Sequence, residues 1–369
     1  MKVLIINQHI SDALGGSEMQ CDLIARGLTN LGHQIIYGAT GKKKKEKYFN
    51  FPYKINPLAI EKKNKLSKFL KKEKPDIVYW RFDKRYLLKS VKQIKKEKIP
   101  IIFAISSVEN ITKYPHIYQL NKKGLINKFK NITKVTIIKI RSRWNYRAFK
   151  YINAVTTLNS QYKNKLKVKK QKLIWNSVSR EKDSFEWKKP YITWVANIKT
   201  QKQPEKYIEL ALFLSKKYPH IDFLMIGAIQ DKKYKIIIKN ANKNKNFHYL
   251  GFQTPEKVNG ILAKSICLIH TCKPEGFGNN FIQSWMQSCP TISLEFDPDN
   301  LIKNKKIGFL SGSFEQMIED TEELIKNKEL RDSMGNKAKK FAINNFNPDR
   351  MTEQIEQFLI KISKEYKNK

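Results

Sequence analysis

The residues best placed to do chemistry lie in one string, Lys273-Pro-Glu275-Gly276-Phe277-Gly278-Asn279-Asn280-Phe281-Ile282-Gln283. A short apolar run, Cys267–His270, precedes it and reads as a buried strand, and the string leads into a segment that reads as a helix to about Ser288. A turn of this kind between strand and helix suits an anion. Gly276 and Gly278 allow close backbone approach, and the N–H groups and positive dipole end of a helix opening near Asn279 suit a pyrophosphate. Glu275 stands at the mouth, where a carboxylate accepts hydrogen bonds from sugar hydroxyls, and Gln283 lies about a helical turn further on, within reach of a ribose. His270 ends the strand. It could touch the same ligand, although a lone histidine after an apolar strand packs as often as it reacts.

Other candidates fall earlier. Gly15-Gly16-Ser17-Glu18 follows the apolar run Val3–Ile6; it reads as a second glycine loop, with Ser17 and Gln20 at capping-box spacing. His9 follows the first strand in that loop and, like His270, could touch a ligand or pack. Trp194-Val-Ala-Asn197-Ile-Lys199-Thr-Gln-Lys202 offers two ammonium groups near a polar amide, a set that suits phosphate; a solvated loop lysine is the plainer reading of Lys199. His33, His116, His220 and His248 read as surface or turn residues. Asp297-Pro-Asp299 has the look of a metal-binding pair but reads as a turn, so no metal and no other cofactor is expected. The four cysteines form no CxxC pair and no zinc spacing, which implies reduced thiols.

Short apolar strands alternating with amphipathic helices must hold these residues. In the first half the strands are Val3–Ile6, Gln34–Tyr37, Ile77–Trp80, Ile101–Ala104, Ala154–Leu158 and Leu173–Trp175. A helix with Cys21, Ile24, Ala25, Leu28 and Leu31 on one face follows the first, and a long helical stretch covers Leu125–Phe149. The pattern restarts at Tyr191–Ala196 and continues through Ile221–Ile226, Phe247–Leu250, Cys267–His270 and Thr291–Leu294. Repeated strand–helix units imply parallel sheets with right-handed crossovers, and two series in 369 residues imply two Rossmann-like domains. The expected division is a first Rossmann-like domain over 1–180, a charged linker at Arg180–Pro190, a second Rossmann-like domain over 190–347, and a helix over 348–369 that packs back on the first domain or caps the second.

Composition narrows the partners. The formal charge is +39 and only nine of the 72 basic residues are Arg, so part of the charge is a plain lysine bias. Its distribution is uneven: residues 1–185 hold 42 basic against 12 acidic residues. The first half should therefore attract anions such as an acidic lipid surface, with Lys62–Lys74 and Lys122–Lys150 as the amphipathic stretches for it. The run Lys42–Lys45 reads as a solvated loop tip. The opening apolar run is too short for a signal peptide, and no stretch approaches a membrane span, so a cytoplasmic protein, peripheral at most, is expected. Nothing resembles a nucleic-acid-binding motif.

The Glu275…Gln283 string resembles the signature of the retaining glycosyltransferases of family 4, in which a Glu, Gly-Phe-Gly and a second Glu are spaced in this way. The resemblance spans most of the chain and is strongest from Tyr191 to Asn347. It implies an α/β GT-B fold, two Rossmann-like domains facing each other across a cleft, and transfer of a sugar from a nucleotide-sugar donor, UDP-sugar favoured, to a glycan or lipid-linked acceptor. Under it Glu275 and Lys202 are catalytic and Gly15, Gly16, Asn197, Gly276, Phe277, Gly278, Asn279 and Gln283 bind donor; by their own places in the sequence His270 joins the catalytic set, Lys199 the donor set, and His9 the acceptor side. Two positions depart from the family pattern: Gln283 replaces the second acid, and Asn197 replaces an Arg on the donor phosphates. Asn176-Ser-Val178 and Gly308-Phe-Leu-x-Gly312 resemble turns of the same fold. A silent donor-binding subunit and a nucleotide-sugar epimerase are the alternatives; an oxidoreductase is disfavoured because no G-x-G-x-x-G follows the first strand.

Overall fold

The computed structural model describes residues 1–12, 15–41, 50–62, 64–113, 125–163, 165–273 and 275–368, with the side chains of 125–134 left aside. The expected features at Lys42–Lys45 and His116 lie outside the described residues. The chain forms two compact units, Met1–Asn176 with Pro348–Lys369, and Ser177–Asn347.

The first unit is a seven-stranded parallel sheet. In chain order its elements are β1 (Lys2–Asn7), α1 (Gly16–Asn30), β2 (Gln34–Ala39), β3 (Lys54–Pro57), α2 (Lys65–Glu73), β4 (Ile77–Trp80), α3 (Leu87–Lys96), β5 (Ile101–Ile105), α4 (Val108–Ile111), α5 (Leu125–Tyr146), β6 (Ala154–Thr157) and β7 (Lys170–Leu173). The strand order is β3-β2-β1-β4-β5-β6-β7. The strands that read as near-continuous apolar runs, β1, β4 and β5, are the fully buried central ones. The two edge strands are the ones least visible in sequence: β3 is polar and was not expected, and β7 is Lys-rich and begins three residues before the expected run.

The second unit repeats the plan with β8 (Tyr191–Val195), α6 (Pro204–Lys217), β9 (Asp222–Ile226), α7 (Tyr234–Ala241), β10 (Phe247–Gly251), α8 (Pro255–Leu262), β11 (Leu268–His270), α9 (Asn279–Met286), β12 (Thr291–Ser293), α10 (Leu301–Lys305), β13 (Gly308–Leu310), α11 (Phe314–Lys326) and α12 (Lys328–Asn345). Its order is β10-β9-β8-β11-β12-β13, all parallel. Gly308–Leu310, expected as a turn, is the edge strand β13, and Gly312 at φ +78° makes the turn after it. Both sheets thus have the doubly wound order, with its reversal between the first and fourth strands of each series.

The chain leaves the first unit after Asn176, earlier than the charged segment expected to link the domains. That segment lies against the second unit: Asn259 donates to the carbonyls of Ser179 (3.1 Å) and Glu181 (2.6 Å), and Trp187 Nε1 donates to Asp222 (2.9 Å). The last helix, α13 (Pro348–Lys367), belongs to the first unit. Its Met351, Ile355, Phe358, Leu359 and Ile362 share a core with Val3, Ile5, Ile24 and Leu28. Gly27 makes this approach feasible, since a Cβ there would lie 2.2 Å from Thr352 Oγ1. His33, expected at the surface, binds Glu356 of α13 at 2.7 Å. Leu31, expected on the inner face of α1, is exposed instead because the helix has already ended at Asn30.

Ile355→Ala is expected to destabilise the first unit by about 2–4 kcal/mol, the usual cost of emptying a filled core position. Urea unfolding of the full chain measures this, and an unchanged midpoint would show that α13 is dispensable to that core.

Candidate functional site

In the second sheet the strand order reverses between β8 and β11, and ligands in such sheets bind at the carboxyl ends of the strands flanking the reversal. The loops that leave those two strands carry Asn197, Lys199 and Lys202 on one side and Glu275 to Gly278 on the other. Their joining is built from residues to which the sequence assigned no role. Trp194, buried in β8, donates its Nε1 hydrogen to Thr271 Oγ1 (2.9 Å). Thr271 in turn donates to the carbonyls of Lys202 (2.8 Å) and Gln203 (3.0 Å). Asn280 ties the start of α9 to β8 through Val195 O (2.9 Å), and Lys273 N donates to Gln201 O (3.2 Å). Thr200 is pinned by Asp231 through both its N–H and its hydroxyl.

Three expected catalytic residues meet here. Lys202 Nζ lies 2.5 Å from Glu275 Oε2, and His270 Nε2 lies 3.2 Å from Glu275 Oε1. The side chains of Lys202 and Glu275 are only 14% and 18% exposed, and His270 is buried. The hydrogen bonds fix the charge on the imidazole. Ser293 spends its hydroxyl hydrogen on Phe296 O (2.5 Å), so it accepts from His270 Nδ1 at 3.2 Å. Ionised Glu275 only accepts, so Nε2 donates as well. Both ring nitrogens carry hydrogens, and His270 is an imidazolium.

The titration tendencies agree. Burial pushes His270 down, but Cys272 and Glu275 beside it outweigh burial and raise it to about 9. Burial pushes the Glu275 carboxyl up, yet Lys202 and then His270 hold it well below the usual carboxylate range. Burial likewise disfavours the Lys202 ammonium, and Glu275 reverses that and holds it above its ordinary value. One carboxylate is thus shared by two cationic groups, with Cys272 beside them.

The loop ends at Gly278, the N-cap of α9, with φ +88°, a conformation that favours glycine. A glycine cap supplies no side chain of its own to the first turn, where Phe281 N donates to Asn280 Oδ1 (3.1 Å). Phe277 is not placed to touch a ligand: its ring is buried edge-on to Trp285 and Phe346, and it anchors the loop from below. Gln283 donates to Asn259 Oδ1 (3.2 Å), the residue that holds the 179–181 segment. Asn197 and Lys199 lie on the β8 loop, but among the described residues neither forms a hydrogen bond or ion pair with the three. Gly276 is buried and Asn279 opens α9. Cys272, read from sequence only as a reduced thiol, stands beside the cluster. With His270 and Glu275 it is the one group of potential metal ligands among the described residues, their donor atoms within 4.8 Å of one another. The Lys202 ammonium already sits on the Glu275 carboxylate, where a metal ion would have to bind. Asp297 caps α10 by accepting from Ile302 N (2.8 Å) and Lys303 N (3.1 Å), as a turn residue does.

The corresponding reversal in the first sheet lies between β1 and β4. Gly15 is the N-cap of α1, so the Ser17–Gln20 box does not form; Ser17 instead accepts from Asn7 Nδ2 (3.2 Å). His9 does not face an acceptor. It is fully buried among Tyr37, Phe51 and Tyr53, its Nδ1 accepting from Ser11 N and its Nε2 lying 3.1 Å from the Tyr53 hydroxyl. Tyr53 donates to Asp22 (2.5 Å), which Arg26 holds from the other side. Burial lowers the pKa of His9, so it is a neutral member of this chain of contacts.

Two doubly wound domains with an anion-suited switch point define the architecture class, and the comparisons agree with it. Residues 177–341 match the family described as glycosyl transferases group 1. No curated protein sequence matches the chain. The fold is that of solved GT-B enzymes. Sucrose-phosphate synthase from Thermosynechococcus elongatus superposes with a TM-score of 0.77 at 11% identity, over 98% of this chain and 99% of that one. HepE from Anabaena, solved with UDP, gives 0.73 at 14% identity, over 98% and 100%. The pneumococcal O-GlcNAc transferase GtfA, solved with UDP and GlcNAc, gives 0.70 at 11%, over 98% and 99%.

A raised histidine pKa adds stability that is complete below the ordinary value near 6.5 and is lost as pH rises through about 9. The wild-type chain should therefore lose stability across that window, and His270→Gln should flatten this part of the curve. Urea midpoints at each end of the window measure both; identical slopes would show that the imidazole is neutral in the folded protein.

Proposed function

We propose that the chain is a retaining glycosyltransferase that moves a hexosyl unit from a nucleotide sugar, UDP-sugar favoured, to a glycan or lipid-linked acceptor in cell-surface polysaccharide or glycoconjugate synthesis. The observation that carries this reading is the buried Lys202–Glu275–His270 cluster at the carboxyl ends of β8 and β11, inside the segment that matches glycosyl transferases group 1. Similar folds solved with UDP, and HepE solved with UDP-glucose, support a nucleotide-sugar donor.

Same-face transfer asks little of acids and bases. It needs stabilisation of a departing diphosphate and of the positive charge that develops on the sugar carbon. Lys202 can turn from Glu275 towards the diphosphate, joined by the N-terminus of α9 and by Lys199 on the neighbouring loop. Glu275, still held by His270, then has a carboxylate oxygen to offer the sugar hydroxyls. His270 keeps that carboxylate ionised and aimed, which makes it a positioning residue as well as a source of positive potential. No divalent metal is required in this reading, because the Lys202 ammonium and the N-terminus of α9 supply the positive charge at the diphosphate.

A silent donor-binding subunit is the second reading, favoured by the neutral Asn197 and Gln283 where the resemblance places charged residues. Calorimetry with UDP alongside an assay of UDP release from UDP-sugars separates the two: binding without turnover supports the second.

Lys202→Met and Glu275→Gln should each lower kcat/KM by about 10²- to 10³-fold. Each should also destabilise the chain, by up to about 3–5 kcal/mol, because it leaves a buried charge short of a partner. The double variant should regain much of the stability and none of the activity. Wild-type rates in the double variant would reduce the cluster to a structural ion pair, and loss of activity in EDTA would contradict the metal-free chemistry.

A further inference from the structure

Between Glu109 and Glu181 the chain has no acidic residue and 18 basic ones. Helix α5 lies inside this stretch and has two faces of opposite character. One is held by the first unit: Asn145 accepts from Leu88 N (3.2 Å) and donates to Arg85 O (2.9 Å), Tyr146 packs against the core, and Phe149 just beyond the helix is buried in it. The other face carries Ile137, Ile140 and Trp144, spaced by three and four residues and therefore aligned along one stripe. They are 45%, 59% and 60% exposed. Exposed Lys139, Arg143 and Arg147 flank the stripe on one side and Arg141 on the other.

The positive charge continues past the helix. Lys150 also lines a shallow groove of about 350 Å³ together with Lys167, Lys169, Lys170, Phe149 and Val168, where Glu365 of α13 pairs with Lys170. Three large apolar side chains exposed in line would burden an ordinary soluble surface. Cations on both sides, with no acidic residue on the helix itself, make the stripe complementary to one kind of surface, apolar beneath and negative at its boundary. Among the described residues no helix is long and apolar enough to cross a membrane, so the contact would be a lateral one.

We propose that α5 lies in the headgroup region of an anionic lipid bilayer, with Ile137, Ile140 and Trp144 inserted and Lys139, Arg141, Arg143, Arg147 and Lys150 on the headgroup phosphates. The proposal stands independently of the transfer reaction, because it uses none of the residues of the second unit.

The test is flotation of the full chain with phosphatidylcholine vesicles containing none or roughly one third phosphatidylglycerol. The chain should float only with the anionic vesicles, and raising salt from about 0.05 to 0.5 M should release it at least tenfold. Ile137→Gln/Ile140→Gln/Trp144→Gln should weaken binding at least tenfold while UDP binding stays unchanged, and Ile236→Gln, at an exposed apolar position of α7, should leave flotation unaltered. If the triple variant fails to fold, Ile140→Cys provides the readout. The four native cysteines are buried, so an environment-sensitive dye reacts at position 140 and should shift to the blue on anionic vesicles. Wild-type flotation of the triple variant, equal binding to neutral vesicles, an unshifted dye, or a dimer that the triple variant dissolves would each overturn the proposal, the last by assigning the face to a second copy.

Discussion

Everything at the site depends on a carboxylate that two cations keep ionised inside the protein. Glu275 alone, largely removed from water, would take up a proton; Lys202 alone would tend to lose one, and so would His270. Together each supplies the charge that the others need. The arrangement keeps two cationic donors on one carboxylate in a place largely removed from water. The ring nitrogens of His270 show how fully this is specified: Ser293 can only accept, Glu275 can only accept, and the imidazole has no neutral tautomer that satisfies both.

The fold's contribution is to make two loops behave as one. Lys202 and Glu275 are 73 positions apart, on the exits of β8 and β11. Parallel strands place those exits side by side, but side-by-side loops drift unless tied. Thr271 does the tying, receiving from Trp194 in the core and donating to the backbone on either side of the bond between Lys202 and Gln203. The carbonyl of Lys202 is thus fixed directly by the loop that bears Glu275, and the ammonium is positioned by a backbone that cannot slide.

Much of this could be read from residue types and order. Buried central strands such as Leu4–Ile6 and Phe223–Ile226 declare themselves as apolar runs, and the string around Gly276–Gly278 declares the turn and helix that follow. The misses have physical reasons. β3 is a short, half-exposed edge strand without an apolar run to mark it, and β13 is only three residues long and begins at Gly308, in the stretch to Gly312 that reads as a turn. His9 looked like a loop histidine because the aromatic box that swallows it, Tyr37, Phe51 and Tyr53, comes from later strands and loops. Phe277 belongs to the motif string yet packs on Phe346, almost seventy residues away. Cys272 and Thr271 carry no pattern of their own; only their place between His270 and Glu275 distinguished them. The Ser293 contact that settles the histidine's charge comes from a neighbouring strand whose register no local pattern encodes.

The return of α13 to the first unit has a bearing on how the chain is made. Synthesis runs from Met1 onward, so β1 to β7 are all complete before the second unit begins, yet the apolar face formed by Val3, Ile5, Ile24 and Leu28 waits for a helix that emerges only after Asn347. The later unit can close its own core first and the earlier one last. Through that interval the nascent protein carries an open hydrophobic face, and α1 with its glycine at position 27 stands ready as the seat for the final helix.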